Sequence, residues 1–220
     1  MTSPTADRIA AAALRRFNRT GYAATKLQQI ADDVGISQGN LTYHFPTKLD
    51  LALHLSETVR ATTADRLAQR VNGDIADDYV GHLLFGMELT WTYRFLLRDP
   101  GIFNDVDDVV PPSPILIADF EALFELISRV ADEGLLRADM SVDLHVFTRS
   151  LWILSRHWMD YLREMEQRDH IDWTDVARGV EHHFVVLLPM MTVAGRQRFT
   201  RALDRASPPS QADAHTRRNR

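Results

Sequence analysis

The chain contains no cysteine, which excludes disulfides, thiolate nucleophiles, zinc fingers and cysteine-bound iron–sulfur clusters and sets the expectation of an intracellular protein. Two common phosphate- and nucleotide-binding signatures are missing too: there is no Gly-x-x-x-x-Gly-Lys and no Gly-x-Gly-x-x-Gly. Metal-ligand spacing is equally sparse. The nine histidines include no His-Glu-x-x-His and no Glu-x-x-His, and the adjacent His182 and His183 point about 100° apart on a helix. Asp105, Asp107 and Asp108 lack the glycine and terminal glutamate of a calcium loop. A protein that is not an enzyme, with no metal and no cofactor, is expected. The longest apolar run, around residues 184–194, is too short to span a bilayer, and the first residues lack an apolar core of signal-peptide length. A cytoplasmic protein with no membrane partner follows as the expectation.

What is present is enough apolar material to fold. Of 220 residues, 45% are hydrophobic and 25% charged, close to the average of soluble globular domains and far from the composition of disorder. The net charge of −5 is unevenly spread. Residues 1–50 carry Arg8, Arg15, Arg16, Arg19, Lys26 and Lys48 against Asp7, Asp32, Asp33 and Asp50, a net of +2 that leaves −7 for the remainder. A polyanion would therefore meet the N-terminal segment, although ordinary variation in surface charge gives the same count.

Apolar residues recur at intervals of three and four almost throughout, while strand-like alternation is nearly absent, so an all-α fold is predicted. A first helix is expected over 5–20, with Ile9, Ala13 and Phe17 on one stripe and Gly21 placed to end it. A second is expected from Thr25, whose hydroxyl caps it while Gln28 completes a capping box. Its buried face would be Leu27, Ile30, Ala31 and Val34, and Gly35 would stop it. Ser37 is placed to cap a third, very short helix with Leu41 and Phe45 inward, and Thr47 with Asp50 begins a longer fourth. Beyond about residue 72, helices are expected over 75–98, 114–135, 142–168 and 172–204, the last bent at Pro189. Residues 99–113 read as a solvated loop and residues 207–220 as a disordered tail.

Two helices joined by the turn Val34-Gly35-Ile36, the second short and bearing outward donors and acceptors, form the layout of a helix-turn-helix reader of the DNA major groove. Gln38 and Asn40, near the start of the third helix and with Gly39 between them, are the base-reading candidates. Thr42, Tyr43, His44 and Lys48 carry groups that hold phosphates, and Thr25 and Lys26 place a hydroxyl and an ammonium at a helix N-terminus, itself an anion site. The same residue types also suit the solvated face of any short helix, and spacing alone does not separate the two.

Residues 25–48, TKLQQIADDVGISQGNLTYHFPTK, with residues 11–24, AAALRRFNRTGYAA, resemble the DNA-binding domain of the tetracycline-repressor (TetR) family of bacterial regulators. The likeness covers residues 5–55 and rests on Phe17, Gly21-Tyr22, Ile30-Ala31, Val34-Gly35-Ile36-Ser37, Gly39, Leu41, His44-Phe45 and Lys48. It departs at Thr42, where many members have a tyrosine whose phosphate contact Tyr43 is placed to take over. It departs also at Gln38 and Asn40, where lysine and threonine are common, which bears on the operator sequence.

The resemblance implies an all-helical homodimer. Its N-terminal three-helix heads, residues 1–48 here, would enter the half-sites of a palindromic operator in double-stranded DNA, about 34 Å apart. Residues 49–206 would form the larger helical bundle for effector binding and dimerisation. Most members repress, so a repressor released by a small, largely apolar ligand is the leading reading. The alternatives are an activator or ligand-independent regulator, or a helical enzyme or lipid carrier with a vestigial head.

All four tryptophans lie beyond residue 72. Phe85, Trp91, Phe95, Phe124, Phe147, Trp152, His157 and Trp158 are the candidate effector-binding residues, since cavities between helices are mostly apolar. The same stripes serve equally as ordinary core. The run over residues 184–191 is apolar nearly all round its helix; packing against a partner subunit is the expected cover, with burial inside one subunit as the alternative.

Overall fold

The computed structural model describes residues 3–68, 73–98, 102, 114–139, 142–168 and 170–206. Among these the chain is helical: α1 (Pro4–Thr20), α2 (Leu27–Val34), α3 (Gln38–His44), α4 (Lys48–Ala68), α5 (Ile75–Thr92), α6 (Arg94–Arg98), α7 (Pro114–Asp132), α8 (Leu144–Met165), α9 (Trp173–Leu187), a 3-10 turn at Leu188–Met190, and α10 (Val193–Ala206). The only β pairing among the described residues is an isolated bridge between Leu136 and Met191. The expected loop 99–113, apart from Ile102, and the expected tail 207–220 lie outside the described residues.

Two compact units divide the chain, one from residues 1–69 and 89–119, the other from 70–88 and 120–220. In the first unit the anticipated stripes are buried: Ile9, Ala13 and Phe17 of α1, Ile30, Ala31 and Val34 of α2, and Leu41 with Phe45 around α3. Leu51 and Leu55 of α4 join them, as does Phe95 of α6, whose ring lies 5.0 Å from that of Phe17. Ser3 caps α1 by accepting from Ala6 N, and Pro4 fits the first helical position because its missing N–H has no partner to lose.

The second unit buries Ile75, Tyr79 and Leu83 of α5, Ile127 of α7, Leu151 and Trp158 of α8, Phe184 and Leu187 of α9, and Phe199 of α10. Tyr79 meets Phe199 edge-on at 5.4 Å. The Tyr79 hydroxyl lies 2.7 Å from His183 Nε2, and His183 Nδ1 lies 2.7 Å from Ser155 Oγ, which donates to the Leu151 carbonyl at 2.9 Å. Because the Ser155 hydrogen goes to that carbonyl, Nδ1 of His183 carries the ring proton and Nε2 accepts from Tyr79. Burial holds His183 neutral, its pKa pushed down to about 3, with the charge of His82 adding to the effect.

Three expectations give way. The helix over 75–98 is interrupted at Tyr93, although no proline or glycine stands there. The bend at Pro189 is a full break: α9 stops at Leu187, Met191 is extended, and Thr192 N donates to Leu135 O at 2.8 Å before α10 begins. Thr25 does not cap α2. The cap is Lys26, whose N–H donates to Gln29 Oε1 at 3.0 Å, while Gln28 instead donates to Asp32.

Candidate nucleic-acid interface

Residues 21–26, between α1 and α2, form a turn wired from within. Thr25 is 2% exposed; its hydroxyl donates to Gly21 O at 2.8 Å and lies 3.0 Å from Thr20 Oγ1. Lys48, the first residue of α4, donates from Nζ to the carbonyls of Tyr22, Ala23 and Thr25 at 2.8, 3.1 and 3.0 Å, and its ammonium sits 4.4 Å from the Tyr22 ring centre. An ammonium has three hydrogens, and three carbonyls take them.

Gly35 ends α2 in the left-handed region (φ 73, ψ 38), a conformation that a side chain resists, and Ile36 N returns to Ala31 O at 3.1 Å. That tight reversal sets the start of α3, where Ser37 Oγ accepts from Asn40 N at 3.2 Å. Leu41 alone of α3 is fully buried, so residues 37–40 stand exposed together. Tyr43 projects with 84% of its surface exposed, edge-on to His44 at 5.4 Å, while Thr42 and His44 are half-buried. Thr42 Oγ1 turns back to Gly39 O at 3.2 Å. Gly39 has ordinary helical backbone, and a Cβ there would meet only Ser37 Oγ, at 3.9 Å. The fold does not ask for glycine at this position.

Several head cations have internal partners. Arg8 donates to Val34 O at 2.7 Å, neutralising the C-terminal end of α2, and Arg16 grips Asp33 with two bonds of 2.6 and 2.7 Å. That guanidinium holds the Asp33 carboxyl below the usual aspartate range. Arg15, Arg19 and Lys26 are exposed.

The effector-binding candidates do not converge on one place. Trp91 lies under the Arg94 guanidinium at 3.8 Å, and Phe95 is buried in the core of the first unit. Phe124 stacks on His145 at 3.9 Å, and Phe120 links this pair to Trp152, 6.2 Å away edge-on, so two candidates share one aromatic cluster. Phe147 is buried. Trp158 is buried between Tyr161, His182 and Gly179, with Nε1 donating to Asp175 O at 2.9 Å. Phe85 is half-buried, and His157 is exposed beside Asp160 at 3.6 Å.

An open apolar groove of about 740 Å³ lies elsewhere in the second unit, lined by Leu84, Val180, Phe184, Leu188 and Leu203, with Glu181 and Arg196 among its few polar side chains. None of the eight candidates lines it. Its sequence signal was the run over residues 184–191, from which Phe184, Leu187 and Met191 are buried in the chain itself while Val185 is 64% exposed.

Comparison with known proteins adds the following. Residues 9–55 match the model of the bacterial regulatory proteins of the tetR family, and residues 52–199 match a second TetR model, described as bacterial transcriptional repressor. Over 40 residues the chain is 48% identical to the HTH-type transcriptional regulator RutR of Escherichia coli (strain K12), a match covering 18% of this chain and 19% of that protein. The match thus spans about a fifth of the curated relatives' length. A TetR-family regulator from Marinobacter aquaeolei VT8 superposes with a TM-score of 0.72 at 21% identity, over 94% of this chain and 100% of that one. The TetR family protein CprB from S. coelicolor A3(2) gives 0.65 at 20% identity, over 92% and 97%. A gamma-butyrolactone receptor, ArpA like, gives 0.65 at 21% identity, over 91% and 95%. At such identities these likenesses speak for the fold. Among the described residues, no helix is long and apolar enough to cross a membrane.

Proposed function

Because the chain belongs to the TetR family of bacterial transcriptional regulators, we propose that two copies of it read a palindromic operator through α3 and leave it when a small, largely apolar effector binds. The observation that carries this reading is the exposed start of α3, where Gln38 and Asn40 flank a glycine that the fold itself does not require. Side-chain amides there suit bidentate contact with an adenine edge, and bare Gly39 lets the groove wall approach the helix. Tyr43, Thr42, His44 and Lys26 hold the flanking phosphates, which fix position without reading sequence. Thr25 and Lys48 support the reader from inside the turn before α2.

Residues 1–48 are the head in this reading, and residues 49–206 carry effector binding and dimerisation. Val146, Ile153, Tyr161 and Met165 are all exposed, and their spacing of seven, eight and four sets them on one face of α8. Exposed Val185 on α9 adds to the apolar surface that a second copy would cover. A relative is named for a gamma-butyrolactone; an effector of that size and low polarity suits the apolar walls of the second unit, with the groove by α9 and α10 and the cluster around Phe124 and Trp152 as the two places to look.

The test is selection of duplexes from a random pool by the full-length protein at near-physiological salt. A two-fold symmetric motif with half-sites about one helical turn apart is expected. A folded dimer that enriches nothing refutes the reading.

A further inference from the structure

The open groove of the second unit runs between two helices that the chain folds back on each other. α9 ends at Leu187, the chain reverses through Leu188–Met190 and returns as α10, and both helices line the groove together with Leu84 of α5. Leu188, Pro189 and Arg196 therefore stand at the turn end, and Trp173 and Ala206 at the far end. The stretch of α10 from Arg196 to Ala206 is about 15 Å long, and the walls are apolar apart from Glu181, Arg196 and Thr200. Within α10, Arg198 pairs with Asp74 and Glu133, and Arg205 with Asp77. Arg196 is exposed and has no ion pair or side-chain hydrogen bond among the described residues.

We propose that this groove is the effector site and that its effector is an acyl carboxylate, a medium-length alkyl chain lying between α9 and α10 with its carboxylate on Arg196. A guanidinium without internal partners forks a carboxylate through two parallel N–H bonds. An elongated apolar trough of about 740 Å³ suits a flexible hydrocarbon chain, whose burial against Val180, Phe184, Leu188 and Leu203 drives binding. The charges of the groove also set the direction of the chain. Glu181 lies two turns before Leu188 on α9, about 10 Å from the turn end. A carboxylate placed there would be repelled, so the head goes to Arg196 and the methyl end toward Trp173. This rests on the reading above of an operator released by an apolar effector, and it names the chemical class of that effector and the place where it binds.

Calorimetric titration of the full-length protein with decanoate tests the site without DNA. Decanoate should bind about tenfold more tightly than decanol, because a carboxylate on a guanidinium makes charge-assisted bonds that a hydroxyl does not. Arg196→Gln should bring the two compounds level. Thr200→Trp, which places a large side chain in the groove from an exposed position, should abolish the binding of both. Equal affinity of the wild type for decanoate and decanol, or decanoate binding undiminished in Thr200→Trp, overturns the assignment. No binding of decanoate overturns it too, and dissociation of the dimer by Thr200→Trp would then show that a second copy fills the groove. With the selected operator duplex present, decanoate should lower the operator affinity of the wild type several-fold and leave that of Thr200→Trp unchanged. Decanoate that occupies the groove without moving operator affinity overturns its role as effector. A wild-type protein that binds no duplex removes the operator reading instead, and the titration without DNA still decides the site.

Discussion

Replacing Lys48 by methionine separates two roles that a lysine beside a DNA-reading helix can play. The side chain keeps its length and loses its ammonium, so the carbonyls of Tyr22, Ala23 and Thr25 each lose a charged donor. Hydrogen bonds to a charged group contribute about 1.5–3 kcal/mol each when the partner is left unsatisfied, but water reaches this turn and replaces part of the loss. The bond to Ala23 is exposed and those to Tyr22 and Thr25 are half-buried, which brings the total to about 2–3 kcal/mol, including the contact with the Tyr22 ring. For a chain of this size that is a fall in Tm of about 4–12 °C. The operator affinity of Lys48→Met should drop with the stability of the head, while the dependence of log K on log salt keeps its slope, because no phosphate contact has been removed. Melting curves and operator titrations between 50 and 200 mM salt give both readings. A slope shallower by about 0.9 for each head, with Tm unchanged, would mean that the ammonium leaves its carbonyls for a phosphate and that this account of Lys48 is wrong. Lys26→Ala is the control, expected to lower the slope and spare Tm.

Gly39→Ala should move stability and function in opposite directions: α3 gains up to about 1 kcal/mol of helix propensity, and operator affinity falls because the added methyl stands where the groove wall approaches. An unchanged affinity in a titration would release Gly39 from the interface. Gln38→Ala and Asn40→Ala should each relax preference at one base position per half-site by about 1–3 kcal/mol, and repeating the duplex selection with each variant shows whether weakening is local or uniform. Gly179→Ala drives a methyl into the Trp158 indole at Cδ1, which pushes the ring off the Asp175 carbonyl and should cost about 1–3 kcal/mol; an unaltered melting curve and tryptophan emission spectrum would contradict that packing. His183 is neutral when folded, with a pKa of about 3, and titrates at the ordinary value when unfolded, so its contribution is fully present above about pH 6.5 and is lost as the pH falls toward 3, at about 1.4 kcal/mol per pH unit. His183→Gln should flatten that limb of the stability curve, and a limb as steep as in the wild type would assign the acid sensitivity to other groups.

The helices of the head were legible because each is short, amphipathic and punctuated: Ile9, Ala13 and Phe17 repeat at four, and Gly21, Gly35 and Ser37 stand at the ends where their backbone or hydroxyl is needed. What local spacing misses is a partner far along the chain. At the break at Tyr93 the Thr92 carbonyl and the Phe95 N–H bond Asn18, 74 and 77 residues away, and no pattern within 75–98 encodes that partner. The saturation of Lys48 is of the same kind, since its acceptors are carbonyls, which every residue has and no sequence motif marks. Thr25 and Lys26 compete for one capping role, and the buried bond of the Thr25 hydroxyl to Gly21 decides it. Among the body aromatics, amphipathic stripes identified what is apolar but not which apolar side chains enclose a void, because that depends on how α5, α9 and α10 leave space around Leu84 and Leu203.

The internal commitments of Arg8, Arg16 and Lys48 bear on how such a protein finds its target in a genome. With those three engaged, Arg15, Arg19 and Lys26 are the exposed Lys and Arg side chains among the described residues of 3–50 with no hydrogen bond inside the chain, Arg8 being exposed as well but spending a donor on Val34 O, and the heads of the proposed dimer bring six such uncommitted cations to a stretch of arbitrary DNA, which corresponds to a salt slope of about −5. Chromosomal DNA would then hold the protein only briefly between encounters. A regulator that dwells so little on the wrong sequence spends more of its time free or at the operator, and few copies per cell suffice to keep that site occupied.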